Sequence, residues 1–257
     1  AQQLTPFNPD GIAGCTWGTA DGVVDPYLTT HAYLDLARSH GAVVRLRSPV
    51  TEVHRTATGW TLQTPTGTFS CDLVVNCAGG WSGQTAALAG IDIPVQHLRR
   101  CVYSTAPGAT PTYPMTIDVA TGIYLRSEGE RLLFGLSRPD EQPGYNIAVD
   151  WEWMETVLER ADTRFPWLLD APLDPTGAWA GTYDLTPDHY PILGRLPEES
   201  EWLNACGFSG HGVMQAPMAG LLTAEEALDG KAHTLDISTL RIDRLRGDDL
   251  RVEQMVL

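Results

Sequence analysis

The sequence predicts an α/β (α+β) protein in which a mixed helix-and-strand part is interrupted by an antiparallel-sheet part. Two short apolar strands, one in each half of the chain, stop abruptly in glycine before a helix: Leu73-Val74-Val75-Asn76 and Trp202 to Ala205. Between them, from about residue 94 to 194, strand-like runs separated by turn residues follow one another. One helix, Trp151 to about Arg164, interrupts them. The expected division is therefore 1–93 with 195–257 for the mixed part and 94–194 for the antiparallel part.

The elements follow from local chemistry. Gly22-Val23-Val24 reads as a loop with a short strand. Asp25-Pro26 opens a helix, the acid as N-cap and proline at the first helical position, and Gly41 stops it after about His40. Val43 to Leu46 reads as a short strand. Val50–Arg55, Trp60–Thr64 and Thr68–Cys71 form a small antiparallel meander, separated by Gly59 and by Pro65-Thr66-Gly67. Leu73–Asn76 has the apolar texture of a strand buried on both faces. A short helix follows it to Ala89, with Gly90 as its stop. Beyond Pro94, strands are expected at Leu98–Thr105, Tyr113–Asp118, Ile123–Arg126 and Leu132–Leu136. A helix from Trp151 to about Arg164 comes next, then strands near Gly177–Tyr183 and Tyr190–Leu193. After Trp202–Ala205, a glycine-rich turn from Gly207 to Gly212 leads into a helix that runs to Asp229.

Composition narrows the function classes. The 257 residues are 43% hydrophobic, enough for a substantial core. A formal net charge of -15, with both signs interspersed, argues against nucleic acid as a partner. No apolar run approaches the roughly 20 residues of a membrane helix, and no secretory leader is visible. The cysteines, Cys15, Cys71, Cys77, Cys101 and Cys206, are odd in number and contain no CxxC. Most of them read as buried thiols in a reducing compartment, the cytoplasm, rather than as disulfides or zinc ligands. The histidines show no i, i+4 pair, so no metal is expected.

Three stretches carry chemistry. In Cys206-Gly207-Phe208-Ser209-Gly210-His211-Gly212-Val213-Met214, three glycines precede a helix. Such a turn exposes N–H groups at the positive end of a helix and suits an anion or a developing negative charge. A tight turn that needs glycine only for positive φ is equally served by the spacing. In Asn76-Cys77-Ala78-Gly79-Gly80-Trp81, small residues at a strand end allow close approach to the backbone. Trp81 is open to two readings, a lid or a core aromatic. In Trp179-Ala180-Gly181-Thr182-Tyr183-Asp184-Leu185-Thr186-Pro187-Asp188, Thr-Pro-Asp marks a turn, and Tyr183 either presents a hydroxyl or is buried. Arg99, Arg100 and Arg126 lie on expected strands, where an arginine can bind a carboxylate in a bidentate way or lie on a solvated face. No Ser-His-Asp or G-x-S-x-G signature is present.

Val-Val-Asn-Cys-Ala-Gly-Gly-Trp-Ser, Trp-Ala-Gly-x-Tyr-x-x-Thr-Pro-Asp and Gly-Phe-Ser-Gly-His-Gly occur here in an order that resembles the D-amino-acid oxidase superfamily. The similarity is to the branch that holds sarcosine oxidase, glycine oxidase and dimethylglycine dehydrogenase. Gly22-Val-Val-Asp-Pro26 and Ser48-Pro-Val-Thr-Glu-Val53 extend the resemblance, which runs from about residue 11 to 245. It implies part of an FAD-binding domain joined to an antiparallel substrate domain, with the flavin ring between them. It also implies oxidation of a small-molecule amine or amino acid by hydride transfer from a C–N bond to flavin. By that resemblance Val50, Asn76, Ala78, Gly79, Trp81, Gly210, His211, Gly212, Val213 and Met214 line the cofactor, and His211, Tyr183 and Arg126 are the catalytic candidates.

Departures from the family pattern sharpen the expectation. No G-x-G-x-x-G occurs anywhere in the sequence, so this chain alone is expected to bind FAD weakly or not at all. A nucleotide-binding half in cis or in trans is the implied partner, and the isolated chain is expected to form a homo-oligomer otherwise. Gly181 stands at the position of a flavin-linking cysteine, so the flavin is expected to be non-covalent. Tyr183 stands where glycine oxidase-like members place a carboxylate-binding arginine. The competing function class is a non-catalytic, truncated binding or assembly module.

Overall fold

The structure, a computed structural model, describes residues 5–108, 111–247, 250 and 252–253. Asp25 takes an extended conformation and its carboxylate accepts the Leu28 N–H at 3.0 Å, so helix α1 (Pro26–Ser39) starts where its cap requires. The meander follows as β1 (Glu52–Arg55), β2 (Trp60–Thr64) and β3 (Gly67–Cys71), antiparallel in that order. Then come β4 (Val74–Asn76) and, after a 3-10 turn at Gly79–Trp81, α2 (Ser82–Ala87). The middle of the chain supplies β5 (Gln96–Ser104), β6 (Thr116–Ile117), β7 (Tyr124–Glu128), β8 (Arg131–Gly135), α3 (Trp151–Asp162) and β9 (Trp179–Leu185). The last elements are β10 (Ile192–Arg195), β11 (Trp202–Cys206) and α4 (Gly212–Leu228).

The chain forms two compact units. One is made of the described parts of Ala1–Val24 and Arg99–Thr182, the other of Asp25–Leu98 and the described parts of Tyr183–Val256. The first holds a five-stranded sheet in the order β6-β7-β8-β5-β9. Alternation along β7 and β8 sends Leu125, Leu132 and Phe134 into a core with Tyr103, Val157, Phe165 and Leu168. Its polar centre is Asp150. The carboxylate caps α3 by accepting the Trp153 N–H at 3.0 Å, and it pairs with Arg99 at 3.1 Å and Arg138 at 2.8 Å. Arg99 also meets Glu141 at 3.1 Å. These contacts commit Arg99 to holding the segment between β8 and α3.

The second unit holds the meander and a three-stranded sheet in the order β10-β11-β4. β4 and β11 run parallel, Asn76 opposite Asn204, while β10 and β11 are antiparallel. Val53, Trp60, Val74, Ala86, Ile192 and Trp202 form one core, with Trp60 and Trp202 edge-to-face at 5.4 Å. Two buried carboxylates tie the C-terminal segment down. Glu226 of α4, fully buried, accepts from the Ala232 N–H and from Arg241. Asp188 holds Arg244 through two bonds of 2.6 and 2.9 Å.

Some elements depart from the sequence expectation. Val43 to Leu46 and Gly22 to Val24 are not strands; Val43 and Leu46 are exposed, and neither segment pairs with a described strand. β4 is not buried on both faces: Val75 is exposed, and among the described residues β4 pairs with β11 alone. α1 forms as expected yet buries none of its side chains, leaving Tyr27, Leu28, Tyr33 and Leu36 exposed. Exposed apolar faces of this kind favour association. Sedimentation of the isolated chain should therefore show species larger than the 28.0 kDa monomer; a single, concentration-independent monomer would contradict this.

The Asp188–Arg244 pair makes a prediction of its own. Burial raises the Asp188 carboxyl, but the hydrogen bonds and charge of Arg244, with the Tyr190 N–H, bring it below the ordinary carboxylate range. A depressed carboxylate stabilises the fold fully above the unfolded value of about 4 and loses that contribution as pH falls through its folded value. Asp188→Asn breaks a buried pair and should lower stability by about 3 kcal/mol at pH 7. In urea unfolding from pH 7 to pH 3, the gap to the parent protein should narrow below about pH 4; a gap independent of pH would refute the assignment.

Candidate functional site

Parallel pairing of β4 with β11 brings the C-terminal ends of both strands to one edge of their sheet. In α/β sheets that edge is where ligands meet the loops. The Asn76–Trp81 turn and the Gly207–His211 turn both start there. Beneath them lies a buried polar network. Asn76 Nδ2 donates to the Ser82 carbonyl at 3.0 Å and to Asn204 Oδ1 at 3.4 Å, Trp202 Nε1 donates to Asn204 Oδ1 at 3.1 Å, and Asn76 Oδ1 accepts the Ala78 N–H at 3.3 Å. The amide of Asn76 is thus spent on shaping its own turn, and the turn presents backbone. Gly79, at φ 54°, has open space where a Cβ would stand.

The second turn is tightly specified. Gly207 and Gly210 have φ of 76° and 92°. A Cβ at Gly207 would run into the Thr186 methyl, and one at Gly210 into the Tyr183 ring. Ser209 is fully buried with φ 52°, a left-handed conformation that costs a non-glycine residue about 1–3 kcal/mol. Asp184 holds this arrangement: its Oδ2 accepts the Gly207 N–H at 2.7 Å, and its carbonyl accepts the Ser209 N–H at 3.1 Å. Beyond the turn, α4 begins at Gly212 with no side chain capping it. Its first N–H groups, at Gly212, Val213 and Met214, gather the positive end of the helix dipole. The Val213 and Met214 side chains are exposed.

The structure places the other candidates as follows. The Tyr183 ring lies against Gly210, where a Cβ would stand. His211 precedes α4, is half-buried, and donates its N–H to the Phe208 carbonyl at 2.9 Å. Trp81 is half-exposed, with its ring edge-on to His97 at 4.6 Å. Val50 packs its side chain on the Trp60–Trp202 core at the start of the meander. Arg126 belongs to the other compact unit, on β7, and pairs with the exposed carboxylate of Glu128. Arg100 donates to the Arg99 carbonyl at 3.0 Å.

Two residues here were not singled out from the sequence. Asp184 is one; its signal was a carboxylate at a strand end two residues before Thr186-Pro-Asp188. The other is His97, whose ring is buried against Gly80, where a Cβ would come within 2.6 Å of it. Burial lowers the imidazole pKa and the charge of Asp184 pulls the other way, with a net lowering that favours the neutral ring. The cysteines are free thiols, and burial pushes Cys206 up to about 12, which makes it inert. Among the described residues no cluster of His, Cys, Asp and Glu is arranged to hold a metal, and no helix is long and apolar enough to cross a membrane.

Comparison with known proteins gives this geometry a context. The chain is 34% identical over 209 residues to FAD-dependent oxidoreductase domain-containing protein 1 of Bos taurus, covering 73% of this chain and 42% of that protein. It is 26% identical to glycine oxidase of Bacillus subtilis (strain 168), over 93% of this chain and 63% of the relative. With mouse dimethylglycine dehydrogenase it shares 29% identity over 89% of this chain and 29% of that protein. The chain therefore spans less than two thirds of these curated relatives. Among solved structures, L-proline dehydrogenase from P. horikoshii superposes with a TM-score of 0.89 at 27% identity, covering 97% of this chain and 68% of that one. Glycine oxidase from Geobacillus kaustophilus gives 0.70 at 26% identity, over 80% and 54%. The family model described as FAD dependent oxidoreductase matches residues 1–226, and with the two glycine-bearing turns at one sheet edge this match identifies the chain as a member of that family.

Proposed function

We propose that this chain is the greater part of an FAD-dependent oxidoreductase that oxidises an amine or amino acid, working within a larger or split protein. The observation that carries the reading is the uncapped start of α4 behind a turn whose conformation is imposed by Asp184. The residues present fit a cofactor with an anionic edge: free helix N–H groups stand at Gly212 to Met214, and open backbone stands at Gly79. The sequence holds no G-x-G-x-x-G, so the diphosphate cradle has to come from a segment in cis or from a second polypeptide.

Bound FAD would supply the two-electron acceptor that takes a hydride from the carbon beside the substrate nitrogen, leaving an imine that water hydrolyses. The chain's own residues act by placement. N–H groups at Gly212 and Val213 stabilise negative charge without reorganising when it develops. Asn76, Ala78 and Gly79 form a backbone turn that the ribose and diphosphate can approach, with Trp81 at its end. Arg126 is the candidate for a substrate carboxylate, since Glu128 is an exposed partner that a tighter bidentate ligand can displace. His211, the residue before α4, is placed to border the ring edge. Gly181 offers no thiol for a covalent link.

Anaerobic mixing of the complete enzyme with a panel of secondary amines and amino acids, followed by stopped-flow absorbance, tests the reading. At least one should bleach the flavin; a FAD-loaded enzyme that none of them reduces would refute it. Gly212→Val should slow reduction by roughly 100-fold, the scale of losing one preorganised donor. The strain comes from a Cβ 3.3 Å from that of Phe208, because φ at Gly212 is not positive. An unchanged rate would make the turn a mere connector. Acid precipitation should release all of the flavin; colour retained on the denatured chain would overturn the non-covalent assignment.

A further inference from the structure

The 183–186 segment acts as a template for the Gly207–His211 turn. Tyr183 and Thr186 fill the space where side chains at Gly210 and Gly207 would stand, and Asp184 lies between them in sequence, bonded to the turn through one side-chain and one main-chain oxygen. Its carboxylate takes the Gly207 N–H at 2.7 Å, and its main-chain carbonyl takes the Ser209 N–H at 3.1 Å. A charged acceptor on a backbone N–H is stronger than a neutral one. Ser209 cannot relax from its left-handed conformation while that second bond and its burial persist. The turn's own N–H groups at 207 and 209 are thereby occupied, and those at the start of α4 are left for a ligand. Asp184 touches the turn and not the reacting atoms, so its effect is exerted through the backbone.

We propose that Asp184 is the positioning residue of this site: it fixes Gly207 and Ser209, and through them the direction of the first N–H groups of α4 toward bound FAD. The consequence for the cofactor rests on the functional reading above; the mechanical part does not.

The experiment has two arms. In the cofactor-free chain, amide hydrogen exchange is followed at Gly207 and Ser209, with Leu203 of β11 as an internal reference. Asp184→Ala should speed exchange at Gly207 by at least about tenfold with Leu203 unchanged, whereas Asp184→Asn, which keeps an acceptor oxygen, should stay within about threefold. Equal protection of Gly207 in Asp184→Ala and the parent overturns the proposal. Should Asp184→Ala fail to fold, Asp184→Ser takes its place with the same expectation.

In the complete FAD-loaded enzyme, the midpoint potential and the rate of flavin reduction are then measured. Asp184→Ala should bind the reduced flavin about tenfold less well relative to the oxidised form, a fall of about 30 mV. The limiting reduction rate should drop at least tenfold, while the substrate dissociation constant changes less than twofold. Asp184→Asn should recover most of both. Faster exchange at Gly207 with parental potential and rate would overturn the role toward the cofactor. A parent enzyme that takes up no FAD would instead sink the functional reading, and the exchange arm would still decide whether Asp184 holds the turn.

Discussion

Parallel pairing of Val74–Asn76 with Trp202–Asn204 is the constraint on which the site depends. Parallel strands point their C-terminal ends the same way, so two turns about 130 residues apart in sequence start from one sheet edge. Their separation is then governed by the strand spacing, which is about 4.8 Å in any sheet. The register is defended from within. Asn76 and Asn204 sit opposite each other, share a hydrogen bond, and are joined by Trp202 Nε1 and the Ser82 carbonyl. A one-residue slip would put the two amides on opposite faces and leave buried groups unpaired.

The same logic extends to β9. Its end supplies Tyr183 and Asp184, and Thr186 follows just beyond it; the three shape the Gly207–His211 turn. Its following turn supplies Asp188, which anchors the C-terminal segment through Arg244. One stretch of six residues therefore sets the site on one side and secures the end of the chain on the other. Acidic side chains do much of this work. Asp188, Glu226 and, in the other compact unit, Asp150 each accept from several donors, and Asp184 accepts a backbone N–H, so part of the acidic excess is spent on internal bracing. Arg99, Arg138, Arg241 and Arg244 are their partners, which removes most of the arginines near these elements from consideration as ligand-binding groups.

A backbone-dominated site agrees with how the residues are used. Asn76 directs its amide inward, Tyr183 supports a glycine, and Asp184 is spent on two backbone N–H groups. What remains outward is main chain at Gly79 and at Gly212 to Met214, together with the half-exposed Trp81 and His211. Main-chain donors carry no titratable proton and need no rotamer change, which makes them suited to holding a charge that appears and disappears during a reaction.

Elements governed by local chemistry were legible in the sequence. The Asp25–Pro26 helix start, the meander around Gly59 and the strand–glycine–helix signature before α4 depend on caps, turn residues and side-chain alternation within a few positions. Their neighbours in space do not alter them. The order of motifs likewise pointed to the family. Whatever depends on a distant partner was not legible. Among the described residues Val43 to Leu46 has strand composition but pairs with no strand, and β4 has the apolar texture of a central strand but pairs on one side alone. Arg99 and Arg126 looked alike in sequence, yet only Arg99 is locked among Glu141, Asp150 and a backbone carbonyl. Asp184 was one carboxylate among 32 acidic residues until folding placed it under Gly207. Sequence records which hydrogen-bonding groups a residue carries; only tertiary packing decides which of them are already satisfied, and a site is built from those left over.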